Sequence, residues 1–458
     1  MDRYIPAMTP TRAVTCLATL VLLTGCTSGD EDGPPPGPDL STVREAAWTV
    51  TADQIAGAKG ATMSTIGGFM SVDSVASGGL VVSAADSKKK LTLAGIDAKS
   101  GEIAWRRALS LAEDFAANCQ DDDGGPLVVC AVHDFDAKTQ ELVLVDDSTG
   151  KLRKRLEIES DLSYAVSGDQ LYLTSFRPED DDQILEVTVE RRSTSTGKTA
   201  WRQQTAFAIE GWGHDGAQGL DIGAERVGAY SASWEVVVDR RTGRLLTRAD
   251  DGRFEQSLHG GGWLVTDSGD GTEEEVTATL FDPAGEPVAE DRLSAFLWPD
   301  HDDHRLVAIG RHLREQATGR SLFEAPKDQQ VLQFTDAGRA LVTEPAGGEQ
   351  GEDEELSYQV WGADPAKRRG TLSVRADELS DSLGSGKGVL LVTTRYDEEA
   401  DKPVPSSLHI VDTSKGSLVA TIDLGWTVDI FDRPTAIRTS AGAAITGGGG
   451  VKGFVPRA

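Results

Sequence analysis

The sequence has few of the residues on which common enzymes and membrane-spanning proteins depend. Of its 458 residues only four are Cys and seven are His, and no two Cys are adjacent. It contains no Gly-x-Ser-x-Gly, no His-Glu-x-x-His and no Gly-x-x-x-x-Gly-Lys-Ser/Thr segment. These absences argue against serine hydrolases, zinc proteases and P-loop enzymes.

Basic residues are also scarce. The chain has 74 acidic against 45 basic residues, which gives a net charge of -29. Such a field repels phosphates, so neither nucleic acid nor an anionic lipid surface is an expected direct partner. The acidity is typical of a highly soluble surface and gives no evidence for a cationic substrate.

The N-terminus lacks an apolar run long enough to cross a membrane. Arg3 and Arg12 precede the apolar stretch from Ala13 to Leu23, which is 11 residues long, whereas a transmembrane helix needs roughly 20. The pattern is that of a secretory signal peptide. The segment ends in Leu-Thr-Gly-Cys at Cys26, which resembles the bacterial lipobox. This resemblance implies cleavage after residue 25, acylation of Cys26 and a lipid anchor that holds the chain outside the cytoplasm. A plain signal peptide is the alternative.

Residues 26–44 are rich in Pro, Gly and acidic side chains, and we predict a flexible tether for them. The folded part is then expected to cover residues 45–458. Cys119 and Cys130 are the two thiols left after export and acylation, so an oxidising compartment favours a disulfide between them. A metal site is the weaker interpretation, because no further His or Cys cluster stands beside them.

An internal repeat dominates the rest of the chain. In Leu91 to Leu109 an alternating run is followed by a turn from Asp97 to Gly101 and by a second run that carries Trp105. In this turn Asp can bond the backbone and Gly can adopt a positive φ, as a hairpin requires. Similar segments recur at intervals mostly between 42 and 51 residues, with turn glycines at Gly101, Gly150, Gly197, Gly243, Gly285, Gly319, Gly370 and Gly416. Four-stranded repeats of this size predict the blades of a β-propeller.

The repeat resembles the PQQ-like repeat, in which Asp and Thr-Gly are followed four residues later by Trp. Trp105, Trp201 and Phe323 occupy the aromatic position, and Trp48 does so in an isolated N-terminal strand. The resemblance implies that these aromatics dock between neighbouring blades. We therefore predict an all-β propeller of four-stranded antiparallel blades, closed by pairing of the N-terminal strand with the C-terminal blade. The eight turns and the closing blade together give a count of nine blades. The short spacing from Gly285 to Gly319 favours eight blades, with seven or nine as alternatives.

Three polar clusters are candidate ligand sites. Asp300-His301-Asp302-Asp303-His304 is the densest set of metal-binding residue types, but its spacing favours a solvated loop. The acidic runs at residues 121–125 and 179–182 lack the spacing of an EF-hand, so ordinary loops are expected. We predict no cofactor and no metal. The run from Gly447 to Gly450 opens no helix and predicts a strand turn or a close approach between strands.

The expected function is binding or scaffolding outside the cytoplasm by a monomeric lipoprotein without catalytic activity. The nearest resemblance, at the level of fold, is to the propeller lipoprotein of the outer-membrane β-barrel assembly machinery. A PQQ- or calcium-dependent oxidoreductase is one alternative, although the vicinal Cys pair of those enzymes is missing. A sensor or accessory subunit of a transporter or kinase is the other. The expected ligand is a protein or a cell-envelope component held by loops at one end of the propeller.

Overall fold

A computed structural model describes residues 37–457 with internal gaps. Contacts divide the chain into residues 1–35 and Pro36–Ala458, and the described residues all belong to the second unit. The gaps are residues 64–73, 78, 88–89, 111–114, 122–125, 135–138, 160–162, 179–183, 209–218, 231–233, 250–252, 259–261, 268–275, 294–304, 328, 336–339, 346–354, 364–365, 376–377, 398–401 and 428–433.

Antiparallel strands account for nearly all of the secondary structure described. The first elements are the 3-10 helix η1 (Leu40–Thr42), strand β1 (Trp48–Thr51) and helix α1 (Ala52–Ala56). Blades 1 to 4 follow, with β2 (Thr62–Met63), β3 (Ser74–Ser77), β4 (Leu80–Asp86), β5 (Lys90–Asp97) and β6 (Ile103–Ser110) in blade 1; β7 (Phe115–Asp121), β8 (Leu127–Asp134), β9 (Thr139–Asp146) and β10 (Leu152–Glu159) in blade 2; β11 (Ser163–Ser167), β12 (Gln170–Pro178), β13 (Ile184–Ser193) and β14 (Thr199–Ala208) in blade 3; and β15 (Gly219–Ile222), β16 (Arg226–Tyr230), β17 (Glu235–Asp239) and β18 (Leu245–Ala249) in blade 4.

The second half continues the same order with one shorter sheet. Blade 5 has β19 (Arg253–Ser257), β20 (Trp263–Asp267), β21 (Val276–Phe281) and β22 (Pro287–Leu293); a three-stranded sheet has β23 (Leu306–Ile309), β24 (His312–Glu315) and β25 (Ser321–Glu324); blade 6 has β26 (Gln329–Phe334), β27 (Ala340–Pro345), β28 (Glu355–Ala363) and β29 (Ala366–Arg375); blade 7 has β30 (Glu378–Ser385), β31 (Gly388–Asp397), β32 (Lys402–Asp412) and β33 (Ser417–Thr427); and blade 8 has β34 (Thr435–Thr439), β35 (Gly442–Gly447), β36 (Gly450–Phe454) and β1.

The strand order confirms the predicted propeller. Each blade is an antiparallel meander, and the first strands of successive blades contact one another, as β3 does with β7 and β7 with β11. Among the described residues, eight sheets have at least four strands. The three-stranded sheet between blades 5 and 6 holds the turn at Gly319, which explains why the eight turns and the closing strand together gave a count of nine.

The N-terminal strand closes the ring as predicted. Strand β1 pairs antiparallel with β36, so that Trp48 lies opposite Gly453 and Val50 opposite Val451. This pairing supplies the outer strand that blade 8 lacks. Because the last blade is completed by the other end of the chain, the sheet edge of β36 is covered.

The core lies between the blades. Middle strands such as β4 are buried along most of their length, because neighbouring sheets cover both of their faces, whereas the outer strand β10 alternates between exposed and less exposed residues. Eight buried apolar clusters lie at junctions between adjacent sheets. Burial of apolar surface contributes about 25 cal/mol per Å², so these clusters stabilise the junctions.

The predicted end of the tether needs correction. Leu40 and Val43, assigned to the flexible segment 26–44, are 0% and 1% exposed and pack in the apolar cluster of blades 7 and 8. The Asp39 carboxylate accepts a hydrogen bond from the Lys387 backbone N–H at 3.1 Å. Two apolar side chains in a polar segment thus suffice to fix its last residues on the propeller.

Candidate functional site

The turns between the third and fourth strands of the blades form the repeated structural unit of the propeller. The N–H of Gly101 donates to the Asp97 carbonyl at 2.8 Å, and Gly101 has a φ of +75°. The Asp97 carboxylate accepts from the N–H groups of Lys99 and Ser100 at 3.1 and 2.7 Å. Hydrogen bonds from the Ser100 side chain and backbone hold the pKa of Asp97 below its usual value. The predicted roles of Asp and Gly in this turn are therefore observed.

Gly370 does not occupy such a turn, contrary to the sequence prediction. It lies inside β29 and pairs with Val360 of β28. A Cβ atom at Gly370 would overlap the carbonyl oxygen of Gly416, which belongs to the corresponding turn of blade 7. Glycine is needed here because two backbones meet closely, and one sequence does not distinguish this reason from a turn.

Three tryptophans each connect their own blade to the turn of the following blade. The Nε1 of Trp48 donates to the Ala98 carbonyl at 3.1 Å, that of Trp105 to the Asp147 carbonyl at 2.7 Å, and that of Trp201 to the Arg240 carbonyl at 3.1 Å. Each indole also lies against the turn glycine of the acceptor blade, namely Gly101, Gly150 and Gly243. Each indole thus combines a large apolar contact with a directed hydrogen bond across a junction.

Phe323 makes a related contact without a hydrogen-bonding group. It is 3% exposed and packs with Val331 and Phe334 of blade 6, and its ring centroid lies 5.6 Å from that of Trp361. Blade 2 differs, because Lys154 stands four residues after the turn glycine Gly150, and its Nζ donates to the Ser195 carbonyl at 2.9 Å.

The Gly447 to Gly450 segment forms both of the features that the sequence suggested. It contains the turn between β35 and β36. A Cβ atom at Gly447 would lie 2.7 Å from the indole of Trp426 in blade 7, and one at Gly449 would also overlap that indole. The glycines therefore admit an aromatic contact from the neighbouring blade, which sequence reasoning did not identify.

The other predicted residues are only partly within the described structure. Cys119 of β7 lies directly opposite Cys130 of β8, whose side chain is fully buried. Cys26, the cluster from Asp300 to His304, and residues 122–125 and 179–182 lie outside the described residues. Within the described part of the chain, no group of three or more His, Cys, Asp or Glu side chains is placed to hold a metal ion. No described helix is long and apolar enough to cross a membrane.

A polar cavity of about 250 Å³ between blades 2 and 3 is the candidate binding site. Blade 2 contributes the carboxylates of Glu157 and Glu159 from β10. Blade 3 contributes Glu190 and Arg192 from β13 and Arg202 from β14. One wall therefore carries two carboxylates, and the other carries one carboxylate and two guanidinium groups.

A buried carboxylate on the blade 3 wall holds Arg192 in place. The side chain of Glu190 is 8% exposed, and it accepts hydrogen bonds from Arg192 Nε at 2.7 Å and Nη2 at 3.1 Å and from the Thr199 hydroxyl. Burial raises the pKa of Glu190, but the hydrogen bonds from Arg192 and Thr199 outweigh it, so the pKa is below its usual value. The hydrogen bond to Glu190 raises the pKa of Arg192, and the charges of Glu190 and Glu159 add to that rise.

The cavity suits a small polar ligand that carries charges of both signs. Its volume is below the roughly 300–1,000 Å³ of pockets for drug-sized ligands. An anionic group of the ligand would face Arg192 and Arg202, and a cationic group would face Glu157 and Glu159. The sequence does not reveal this site, because its two walls come from different blades: one from β10 of blade 2 and the other from β13 and β14 of blade 3.

The ring of four-stranded antiparallel sheets defines the chain as a β-propeller. No protein-family model matches it, and no curated protein does. Among solved structures, the WD40 domain of SCAP from fission yeast is 9% identical, with a TM-score of 0.45, over 84% of this chain and 95% of that one. A eukaryotic initiation factor is 12% identical, with a TM-score of 0.39, over 74% of this chain and 94% of that one. A prolyl endopeptidase structure is 12% identical, with a TM-score of 0.44, over 84% of this chain and 54% of that one. These similarities are too distant to carry an argument about function.

Proposed function

We propose that this chain is an exported, lipid-anchored propeller of PQQ-like repeats that binds a protein or cell-envelope ligand without catalysing a reaction. The observation that carries the binding proposal is the small cavity with carboxylates on both walls and two guanidinium groups on one, which would take a charged group of such a ligand. A rigid ring supports it, because docked side chains such as Trp105 hold neighbouring blades together. Binding sites on rigid scaffolds lose little entropy when the ligand arrives.

The binding proposal is tested by photocrosslinking in intact cells. A photoreactive amino acid at Glu157, an exposed residue of the cavity wall, is expected to capture a ligand. The same group at Glu225, an exposed residue of blade 4, is the matched control and is expected to capture nothing specific. Arg202→Gln should reduce the yield at Glu157 several-fold, because it removes one of the two cations that would face the ligand. Equal capture at both positions would contradict the proposal.

The absence of catalysis is tested on the purified chain. Its absorbance spectrum and metal content should remain those of the protein alone after quinone and calcium are added and then removed by gel filtration. A stoichiometric bound quinone would replace the binding proposal with an oxidoreductase.

The lipid anchor at Cys26 is tested by fractionation. Cys26→Ala removes the thiol that would carry the lipid. The chain should then move from the membrane fraction to the soluble fraction, because the acyl chains that stable attachment needs are missing. Cys16→Ala, in the apolar part of the signal, is the control and should leave the chain on the membrane. Membrane association of Cys26→Ala would contradict the anchor.

A disulfide between Cys119 and Cys130 is part of the proposal for an exported protein. Directly opposed residues of antiparallel strands have Cα atoms about 4.5–5.5 Å apart, within the range of about 4.4–6.8 Å found for disulfides. The register of β7 and β8 therefore supports the pairing. In the purified protein, denatured without reductant, these two thiols should resist alkylation, and both should react after reduction.

A further inference from the structure

The junction between blades 4 and 5 differs from the others. The eight apolar clusters lie at the remaining junctions, and the described residues form no such cluster here. Ionisable side chains stand in its place. We call this junction the 4/5 seam and define it by Asp221, Arg226, Tyr230 and Glu235 of blade 4 and Glu255, Ser257 and Trp263 of blade 5.

Hydrogen bonds cross the seam from both sides. Glu235 Oε1 accepts from the Glu255 backbone N–H at 2.5 Å, and the Asp221 carboxylate accepts from the Ser257 backbone N–H. Arg226 Nη1 donates to Glu255 Oε2 at 3.0 Å, and its guanidinium carbon lies 3.5 Å from the centroid of the Trp263 ring. Blade 5 is thus held on blade 4 mainly by polar contacts.

The seam contains more carboxyl groups than cations. Glu235 is 0% exposed and Glu255 is 7% exposed, so water reaches neither freely. Among the residues that define the seam, Arg226 is the cation, and it is paired with Glu255. Asp221 retains some accessible surface but is closely surrounded by protein, and this burial raises its pKa to about 6.

The Asp221 carboxyl accepts hydrogen bonds from the backbone and the side chain of Ser257. Burial, followed by the carboxyls of Asp221 and Glu235, raises the pKa of Tyr230, which places the phenol near both acids. On the side of blade 4 that faces blade 3, Arg240 donates to the Gly223 carbonyl at 2.7 Å and also bonds Tyr172 and Ser167 of blade 3. Among the described residues of the adjoining strands, the charged and titratable groups near the seam are Arg226 and Tyr230 on β16, Glu235 on β17, Arg240 after β17 and Glu255 on β19.

We propose that the 4/5 seam is a pH-responsive joint of the propeller, tight when the Asp221 carboxyl is protonated and looser when it is ionised. A neutral carboxyl removes one negative charge from a seam that already holds Glu235 and Glu255. Ionisation restores that charge beside poorly hydrated neighbours. An exported chain would then change the mobility of one joint in response to external pH.

The direction of the effect follows from proton linkage. The folded chain binds the Asp221 proton more tightly than the unfolded chain, in which the pKa of this carboxyl has its ordinary value of 3.8. The stabilisation is therefore full below about pH 4, declines as the pH rises toward 6, and is absent above it. Protection of the seam strands from hydrogen exchange should fall by up to about a hundredfold across this window.

Hydrogen exchange of the full chain, corrected for intrinsic rates, tests the proposal between pH 4 and 7. Protection of β15 and β19 should fall with rising pH relative to β4 and β5 of blade 1. In Asp221→Asn the fall should disappear, because the amide can still accept the Ser257 bond but does not titrate. Glu225→Gln removes an exposed carboxyl from the same blade and should keep the wild-type profile.

Two results would overturn the proposal: constant protection of β15 and β19 in the wild type, or the same fall in Asp221→Asn. If Asp221→Asn does not fold, constant wild-type protection of β15 relative to β4 across this pH range would still overturn the proposal.

Discussion

At the scale of single residues, His409 shows how burial sets the charge of a side chain. It lies on β32, with Nε2 3.0 Å from the Thr393 hydroxyl and Nδ1 3.1 Å from the Thr421 hydroxyl. Burial lowers its pKa to about 4. The folded chain therefore keeps this imidazole neutral across the physiological range. The sequence, with seven scattered His, held no signal that this one is buried between strands.

His409 should make blade 7 sensitive to acid. Because its folded pKa is below the unfolded value of 6.5, its favourable contribution is full above pH 6.5 and is lost as the pH falls toward 4. His409→Gln keeps two hydrogen-bonding groups and removes the titration. Between pH 7 and 4.5, the free energy of unfolding measured in urea should fall by about 2 kcal/mol less in the variant than in the wild type. Parallel losses in both proteins would contradict this role.

At the scale of elements, the turns with Asp and Gly agree best with the sequence prediction. Their geometry is local: the Asp239 carboxylate bonds the Thr242 N–H at 2.7 Å and Gly243 has a φ of +72°. A five-residue pattern contains all of that information. The docking partner of each turn is not local, because the indole over Gly243 comes from Trp201 in the preceding blade.

Substitutions at Gly243 and Gly168 distinguish the cost of backbone strain from the cost of displacing a docked indole. Both have a positive φ, but a Cβ at Gly243 would lie 2.6 Å from the Trp201 ring, whereas Gly168 has open space. Gly168→Ala should cost about 1 kcal/mol, from backbone strain alone. Gly243→Ala should cost about 3 kcal/mol, because the indole must also move. Thermal unfolding of the two variants measures the difference, and equal losses would show that the indole does not need this space.

At the scale of the whole molecule, closure joins the two ends of the folded chain. Strand β1 pairs with β36, and Trp48 packs on Gly101 of blade 1 and Gly453 of blade 8. One side chain thus contacts both sides of the junction where the ring closes. The pairing was predictable because an isolated outer strand and an incomplete last blade stand at opposite ends of the sequence.

Trp48 should therefore contribute more to stability than its strand of four residues suggests. Trp48→Ala removes a side chain that is 8% exposed, and we expect a loss of about 3–5 kcal/mol. Trp48→Phe keeps much of the packing and loses the bond to the Ala98 carbonyl, so about 1 kcal/mol is expected beyond the lost ring area. Chemical denaturation measures both. A smaller loss in Trp48→Ala than in Trp48→Phe would contradict the role in closure.

The sequence by itself determined the class of fold, the position of seven of the eight turn glycines and the pairing of the chain ends. Each of these follows from a local pattern that is repeated: alternating strands, an Asp-to-Gly turn and an aromatic at constant spacing. Gly370 was misassigned because close approach and turn formation both select glycine. Only the tertiary structure decided which side chains face one another across a junction. The cavity of Arg192 and Glu159, the 4/5 seam and the burial of Leu40 all depend on how neighbouring sheets are placed, and the spacing of residues within one blade does not contain that placement.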